Sequence, residues 1–205
     1  MPERLACLAI GYAFGCILTA EVVCRHVTHG SAFDLGIGNP GMANVSHELG
    51  IRWGMVTLAG DIAKTLAATL VCWATFPGSQ MTCALWAGLG ATLGHEFPVW
   101  HHFRGGKGVT TTCSCLVLAS PAWGLLSCVV GAGAVLLTKR LCVGAIAITA
   151  AWLAHALVTG DVDAIVVGLA LTALMLRAHM PAVLGIRTGE TPETDLLAKL
   201  RDLRG

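Results

Sequence analysis

The sequence predicts an all-α protein, a polytopic membrane helix bundle of about seven spans with its N-terminus outside and its C-terminus cytoplasmic. Three observations carry that expectation. Hydrophobic residues make up 55% of the 205-residue chain and charged residues only 12%, and the mean hydropathy is +0.73, far from the charge content of a soluble domain. Apolar runs of membrane length recur from one end to the other. The basic residues gather on one side when those runs are alternated across a bilayer.

The first run, 4–24, has no small-residue cleavage site behind it and is followed by more apolar sequence, so it reads as a retained span and not a leader. A polar, glycine-broken connection, 25–51, leads to the second run, 52–75, which carries Asp61 and Lys64 three residues apart on one helical face. Charges at such depth face a bundle interior or a polar cavity. As a neutralised pair they anchor loops, and that reading stands beside a catalytic one. The turn Phe76-Pro77-Gly78 separates this run from the third, 81–97. The fourth, 107–120, is the weakest, because Thr110, Thr111, Thr112 and Ser114 bond back to helix carbonyls and suit a segment buried among other helices. Pro121 divides it from the fifth, 122–138, and Lys139-Arg140 divides that from the sixth, 141–159, where His155 reads as an interior histidine. The seventh run is 163–178, and a polar tail, 179–205, closes a single domain, 1–205.

Alternation of these runs places Arg25, Arg52, Arg104, Lys107, Lys139, Arg140, Arg177, Arg187, Lys199, Arg201 and Arg204 on one side, eleven of the 13 lysines and arginines. The positive-inside rule makes that side cytoplasmic. All three long polar stretches, 25–51, 94–108 and 179–205, then face the cytoplasm, so a single site would be assembled at the inner face of the membrane. The net charge of +1 gives no reason to expect nucleic acid as a partner. The nine cysteines lie in or beside apolar runs without CxxC spacing and read as small packing residues, with neither metal nor cofactor expected.

Chemistry concentrates in Gly94-His95-Glu96-Phe97-Pro98 and the following Phe103-Arg104-Gly105-Gly106-Lys107-Gly108-Val109. Glycines let backbone N–H groups turn toward a ligand, the start of a helix adds a favourable dipole, and Lys107 supplies mobile positive charge. This is an anion site suited to phosphate, and it is not the nucleotide P-loop, which needs GxxxxGK[ST] after a strand. The first connection offers a second glycine-broken polar stretch, Gly36-Ile37-Gly38-Asn39-Pro40-Gly41-Met42-Ala43-Asn44, whose N–H groups and amides can converge on one anion or simply form a turn-rich linker. His95 serves either as an acid or base or as a loop hydrogen-bonder. His101 and His102 fit no HExxH metal arrangement.

These segments resemble the PlsY-type acyl-phosphate:glycerol-3-phosphate acyltransferases, small seven-span enzymes of the bacterial inner membrane. Gly94-His95-x-Phe97-Pro98 with Phe103-Arg104-Gly105-Gly106-Lys107-Gly108-Val109 is similar to the family pattern GHxFPxxxxFKGGKGVAT. Gly36-x-Gly38-Asn39-x-Gly41-x-x-Asn44 resembles GSGNxGATN, and Asp61-x-x-Lys64 resembles DxxKG. The resemblance implies transfer of a fatty acyl group from acyl phosphate to glycerol-3-phosphate, giving lysophosphatidic acid for phospholipid synthesis. It implies Lys107, His95 and His179 as catalytic residues. Arg104, Gly105, Gly106, Gly108, Gly36, Gly38, Asn39, Gly41, Asn44 and His47 are implied for phosphate and substrate. Acyl phosphate, glycerol-3-phosphate and membrane lipid are the implied partners, with an active site facing the cytoplasm.

The departures are confined to particular loops. Ile37 stands where the family's first motif has serine, Ala43 where it has threonine, and His47 where arginine is usual. The third motif, HRxNIxRLxxGxE, persists as His179 and Gly189, with Met180, Ala182 and Gly185 in place of arginine, asparagine and a second arginine, and Arg187 in a shifted position. Each change removes a donor or a fixed charge. Two alternatives follow from them: the same donor with a different acceptor, or a catalytically impaired relative that binds lipid phosphate.

Overall fold

A computed structural model describes residues 1–191, 193 and 194, and every regular element among these described residues is helical. Lys199, Arg201 and Arg204, which contribute to the charge asymmetry, lie outside them. The chain divides into two compact units, the first Met1–Pro121 and the second beginning at Ala122.

In the first unit the run expected at 4–24 is not one helix. Helix α1 (Pro2–Gly15) starts with proline in its first turn, where the missing N–H costs nothing, and helix α2 (Thr19–Thr28) begins only after a break at residues 16–18. Leu18 is extended there, and the carbonyls of Gly15 and Ile17 turn toward Lys64. No proline or polar residue marks this break in the sequence, because its partner lies in a distant helix. Helix α3 (Met42–Leu49), inside the stretch expected to be a connection, precedes α4 (Ile51–Thr75), whose bounds agree with the second run. Helix α5 (Gln80–Glu96) is followed by a 3₁₀ turn, Val99–His101, and by α6 (Val109–Ala119), shorter than the run expected at 107–120.

Helix α5 is the centre of this unit, with twelve of its 17 residues buried and α1, α4 and α6 packed around it. Small residues on both sides bring α1 and α5 into backbone contact. A Cβ at Gly11 or Gly15 would overlap the backbone of Ala87 or Ala91, and one at Gly90 would lie 2.8 Å from the Tyr12 nitrogen. In a membrane, where apolar burial gives little net drive between helices, such close approach is the main source of association. Gly88 receives Cys115 of α6 in the same way.

The second unit contains α7 (Pro121–Thr138), α8 (Leu141–Thr159) and α9 (Val162–Thr188). Asp161 caps α9 by accepting the Ala164 N–H at 2.7 Å, and Gly189 ends it in the left-handed region at φ 76°. Helix α9 therefore runs ten residues beyond the 178 expected from hydropathy, with Pro181 inside it, and the tail does not begin at 179. Arg140 bonds the Thr191 carbonyl and lies 3.2 Å from Glu193, tying the connection between α7 and α8 to the segment after α9. Trp152 is fully buried against Gly168, and Trp123 stacks on His155 with ring centroids 3.9 Å apart.

Among the described residues, five stretches are long and apolar enough to cross a membrane: Pro2–Thr28, Ile51–Thr75, Pro121–Thr138, Leu141–Thr159 and Val162–Thr188. At 17 and 11 residues, α5 and α6 are shorter than these.

Candidate active site

Tertiary contacts bring Lys64, Asp61 and His95 together. Lys64 Nζ donates to the carbonyls of Gly15 (3.2 Å) and Ile17 (2.9 Å), and lies 2.9 Å from Asp61 Oδ1 and 2.8 Å from His95 Nδ1. Asp61 Oδ1 also accepts from Thr19 Oγ1 at 3.3 Å and lies 3.6 Å from His95 Nδ1. All three charged or titratable side chains are buried. Lys64 thus caps the C-terminal end of α1, where carbonyls are left without helical partners and a cation is favourable. Gly60 makes this possible on the other side, since a Cβ there would lie 2.7 Å from Thr19 Oγ1.

The glycine loop rests on the end of α5. Gly106 N donates to His95 O at 3.0 Å, and a Cβ on Gly106 would overlap the Nε2 edge of the His95 ring. A Cβ at Gly105 would overlap the His95 carbonyl and lie 2.7 Å from Pro98 Cδ. Gly108, at φ 69°, closes the loop into α6, where Thr111 Oγ1 donates to its carbonyl at 2.9 Å and Thr92 Oγ1 donates to Thr111 Oγ1 at 3.0 Å. Only glycine combines that φ with this proximity, because a Cβ would come within 2.9 Å of Glu96 Oε1. Tyr12, the sole tyrosine, donates to Phe97 O at 2.8 Å and fixes where α5 ends. Lys107 is half-buried and makes no hydrogen bond or ion pair among the described residues. Arg104 is exposed.

The first loop is held by its own side chains. Asn44, buried at the start of α3, accepts the Ile37 N–H at 3.1 Å and donates to Leu35 O at 2.8 Å. Gly36 at φ 54° and Gly38 at φ 68° form the turn, and a Cβ on Gly36 would lie 2.6 Å from Asn44 Oδ1. Glu21 of α2 accepts from Ser31 Oγ (2.9 Å) and from Ala32 N (2.8 Å), clamping the start of the loop. Asn39, beside Gly41, is half-buried, and its amide has no side-chain hydrogen bond among the described residues. Ile37 is 78% exposed, Ala43 is exposed, and the exposed His47 places Nδ1 2.8 Å from Glu48 Oε1. The Phe33 and His101 rings, 5.3 Å apart, bring this loop beside the 3₁₀ turn that leads to the glycine loop.

His179 belongs to the second unit. It is buried in α9 with Nδ1 3.0 Å from Met175 O, two turns before Arg187 near the helix end. Ala182 lies in the same helix and its carbonyl accepts from Thr191 Oγ1 at 2.6 Å.

The glycine loop, the Asp61 and Lys64 pair, and His95 all stand out in the sequence, and the structure brings them into contact. Glu21 does not stand out, its only sign being a carboxylate four residues before Arg25, now paired with it at 2.7 Å. Nor does the sequence show that Asn44 holds loop backbone. A groove between α4 and α6, of about 460 Å³, begins beside the glycine loop at Val109 and Thr110 and is lined further on by Leu58, Ile62, Leu66 and Val117. That groove had no local signature, because it depends on the spacing of two helices.

A family model described as glycerol-3-phosphate acyltransferase matches residues 5–189. The chain is 41% identical over 139 residues to glycerol-3-phosphate acyltransferase 1 of Lactobacillus johnsonii, covering 68% of this chain and 67% of that one. It is 34% identical over 192 residues to the glycerol-3-phosphate acyltransferase of Thioalkalivibrio sulfidiphilus, covering 89% of both. Among solved structures it is similar to PlsY, an integral membrane glycerol 3-phosphate acyltransferase, in its glycerol 3-phosphate form. The TM-score is 0.83 at 26% identity, with 96% of this chain and 98% of that chain covered. The lysophosphatidic acid form gives a TM-score of 0.80 at 28% identity, covering 95% and 96%.

Proposed function

The chain belongs to the glycerol-3-phosphate acyltransferase family, and from that membership we propose that it acylates glycerol-3-phosphate to lysophosphatidic acid with acyl phosphate as donor. The hydroxyl oxygen of glycerol-3-phosphate forms a bond to the acyl carbonyl carbon, and the bond from that carbon to the phosphate oxygen breaks. Inorganic phosphate leaves with the electron pair and takes the hydroxyl proton. An acyl phosphate is already an activated anhydride, so orientation and charge stabilisation on the departing phosphate suffice.

One observation carries this reading: Lys107, without an ionic partner among the described residues, stands between glycines whose backbone can approach an anion closely, at the start of α6. Gly105, Gly106, Gly108 and Arg104 would hold the donor phosphate with it. Gly36, Gly38, Asn39 and Gly41, supported by Asn44 and His47, would hold the acceptor. Lys107 and His95 are proposed as catalytic residues, and His179, in the second unit, is proposed as a further one on the strength of the family resemblance alone. The apolar groove that opens at Val109 suits a fatty acyl chain entering from lipid. The proposed setting is the bacterial inner membrane, with about seven helical segments in the bilayer, of which α6 is the shortest at 11 residues, an outside N-terminus and the site facing the cytoplasm.

The test supplies purified protein with glycerol-3-phosphate and either acyl phosphate or an acyl thioester. Lysophosphatidic acid is expected only with acyl phosphate, accompanied by equimolar phosphate. Replacing Lys107 by alanine is expected to lower kcat by about a hundredfold, as for loss of one donor to developing charge. Phosphate release no faster than that of the Lys107→Ala variant would reject the assignment.

A further inference from the structure

The contacts around Lys64 go beyond anchoring. Lys64 Nζ has four acceptors within 3.2 Å, Asp61 Oδ1, Gly15 O, Ile17 O and His95 Nδ1, for three protons. An ammonium donates and never accepts, so the nitrogen 2.8 Å away must present a lone pair. A protonated imidazole would set two cations at that distance in a buried site. His95 is then neutral with its one proton on Nε2. The Nε2 edge is the one that Gly106 covers, and Nε2 itself has no hydrogen-bond partner among the described residues. The side chain is 5% exposed, which leaves this N–H directed at the glycine loop.

We propose that Lys64, held by Asp61 and by the two carbonyls at the break between α1 and α2, is a positioning residue that fixes the tautomer of His95, so that Nε2–H serves as a hydrogen-bond donor to the phosphate-bearing substrate at Gly105–Gly108. This rests on the acyl-phosphate reading for the identity of the substrate, whereas the tautomer itself does not. The titratable groups facing the imidazole are Asp61 and Lys64 from α4, with Cys16 beside Lys64 from the end of α1. Glu96 is adjacent in α5 and lies under Gly108. Helix breaks that supply carbonyls to a lysine serve here as a template for a side chain one helix away. A buried ion pair that merely neutralised itself would have no reason to share the lysine with a ring nitrogen at 2.8 Å.

Two measurements test this. Nitrogen-15 NMR of protein labelled at histidine, with His95→Gln to assign the resonance, is expected to show a protonated Nε2 and an unprotonated Nδ1. Lys64→Met is expected to move that resonance toward the other tautomer or to averaging. Glutamine at 95 places an amide N–H near the Nε2 position and has no tautomers. Lys64→Met is therefore expected to raise KM for acyl phosphate about tenfold in the parent, the scale of one hydrogen bond to a charged group, and to add less than twofold in the His95→Gln background. A protonated Nδ1 in the parent spectrum overturns the proposal. So does an equal KM penalty in both backgrounds, which would mark Lys64 as structural only. If the parent transferred no acyl group at all, the proposed function would fail, and the spectrum alone would decide the tautomer.

Discussion

Asn39 in the first loop and Asn44 at the start of α3 sit five residues apart and do different work. Asn44 spends both ends of its amide on the Ile37 N–H and the Leu35 carbonyl, whereas the Asn39 amide has no side-chain hydrogen bond among the described residues. Losing one such pair of bonds costs about 1–2 kcal/mol, so Asn44→Ala is expected to lower the unfolding temperature in detergent and to raise KM for glycerol-3-phosphate through a loosened loop. Asn39→Ala is expected to raise the same KM with the unfolding temperature unchanged. Thermal unfolding and initial rates on the two variants separate them, and equal unfolding temperatures would show that Asn44 does not hold the loop. At this scale the sequence was legible in its residue types but not in its pairings. The glycines announced a turn, yet whether an asparagine turns inward to the backbone or outward to a ligand depends on contacts seven and nine residues away.

Among the elements, α1 and α5 show how a membrane bundle is held by what is absent from its side chains. Gly90 allows Leu8 and Tyr12 to reach α5, and Gly94 does so for Tyr12, Gly15 and Cys16. Gly90→Val forces these backbones apart and is expected to cost about 1–3 kcal/mol, the range for overpacking. Helix separation there also pulls Tyr12 from Phe97 O, so activity is expected to fall with stability in a detergent unfolding series. Activity at the parental level in a destabilised Gly90→Val protein would uncouple the helix contact from the site. Hydropathy located α4 and α8 well because their apolar composition and their helicity end together. It failed at residues 16–18, where an apolar stretch is unwound by a lysine 47 residues away from Ile17, and at α9, where the helix continues through Pro181.

For the whole molecule, the charge asymmetry makes a prediction that contact geometry does not. In a cysteine-free background, Gly78→Cys is expected to react with a membrane-impermeant maleimide in intact cells, and Arg140→Cys only after permeabilisation. The reverse pattern would invert the orientation and put the glycine loop outside. The all-helical class was readable from composition, because 12% charged residues leave few other solutions. The glycine loop was readable because arginine, lysine and histidine cluster around its glycines in a chain with only 12% charged residues. The network of Lys64, Asp61 and His95 was only partly so, since the sequence shows the first two on one face of α4 and is silent on the ring that completes them.

Helix α6 gives the molecule an unusual relation to its solvent. Eleven residues at 1.5 Å each rise only about 16 Å, roughly half of a 30 Å hydrocarbon layer. The groove that starts at its first residue runs along it only as far as Leu118, so it is no longer than this short helix. An amphiphile with a charged head and a fatty tail would not have to be lifted out of its leaflet to react. It could keep its tail at the depth it already occupies while its head met the glycine loop, so that the enzyme would work on a molecule that never leaves the membrane.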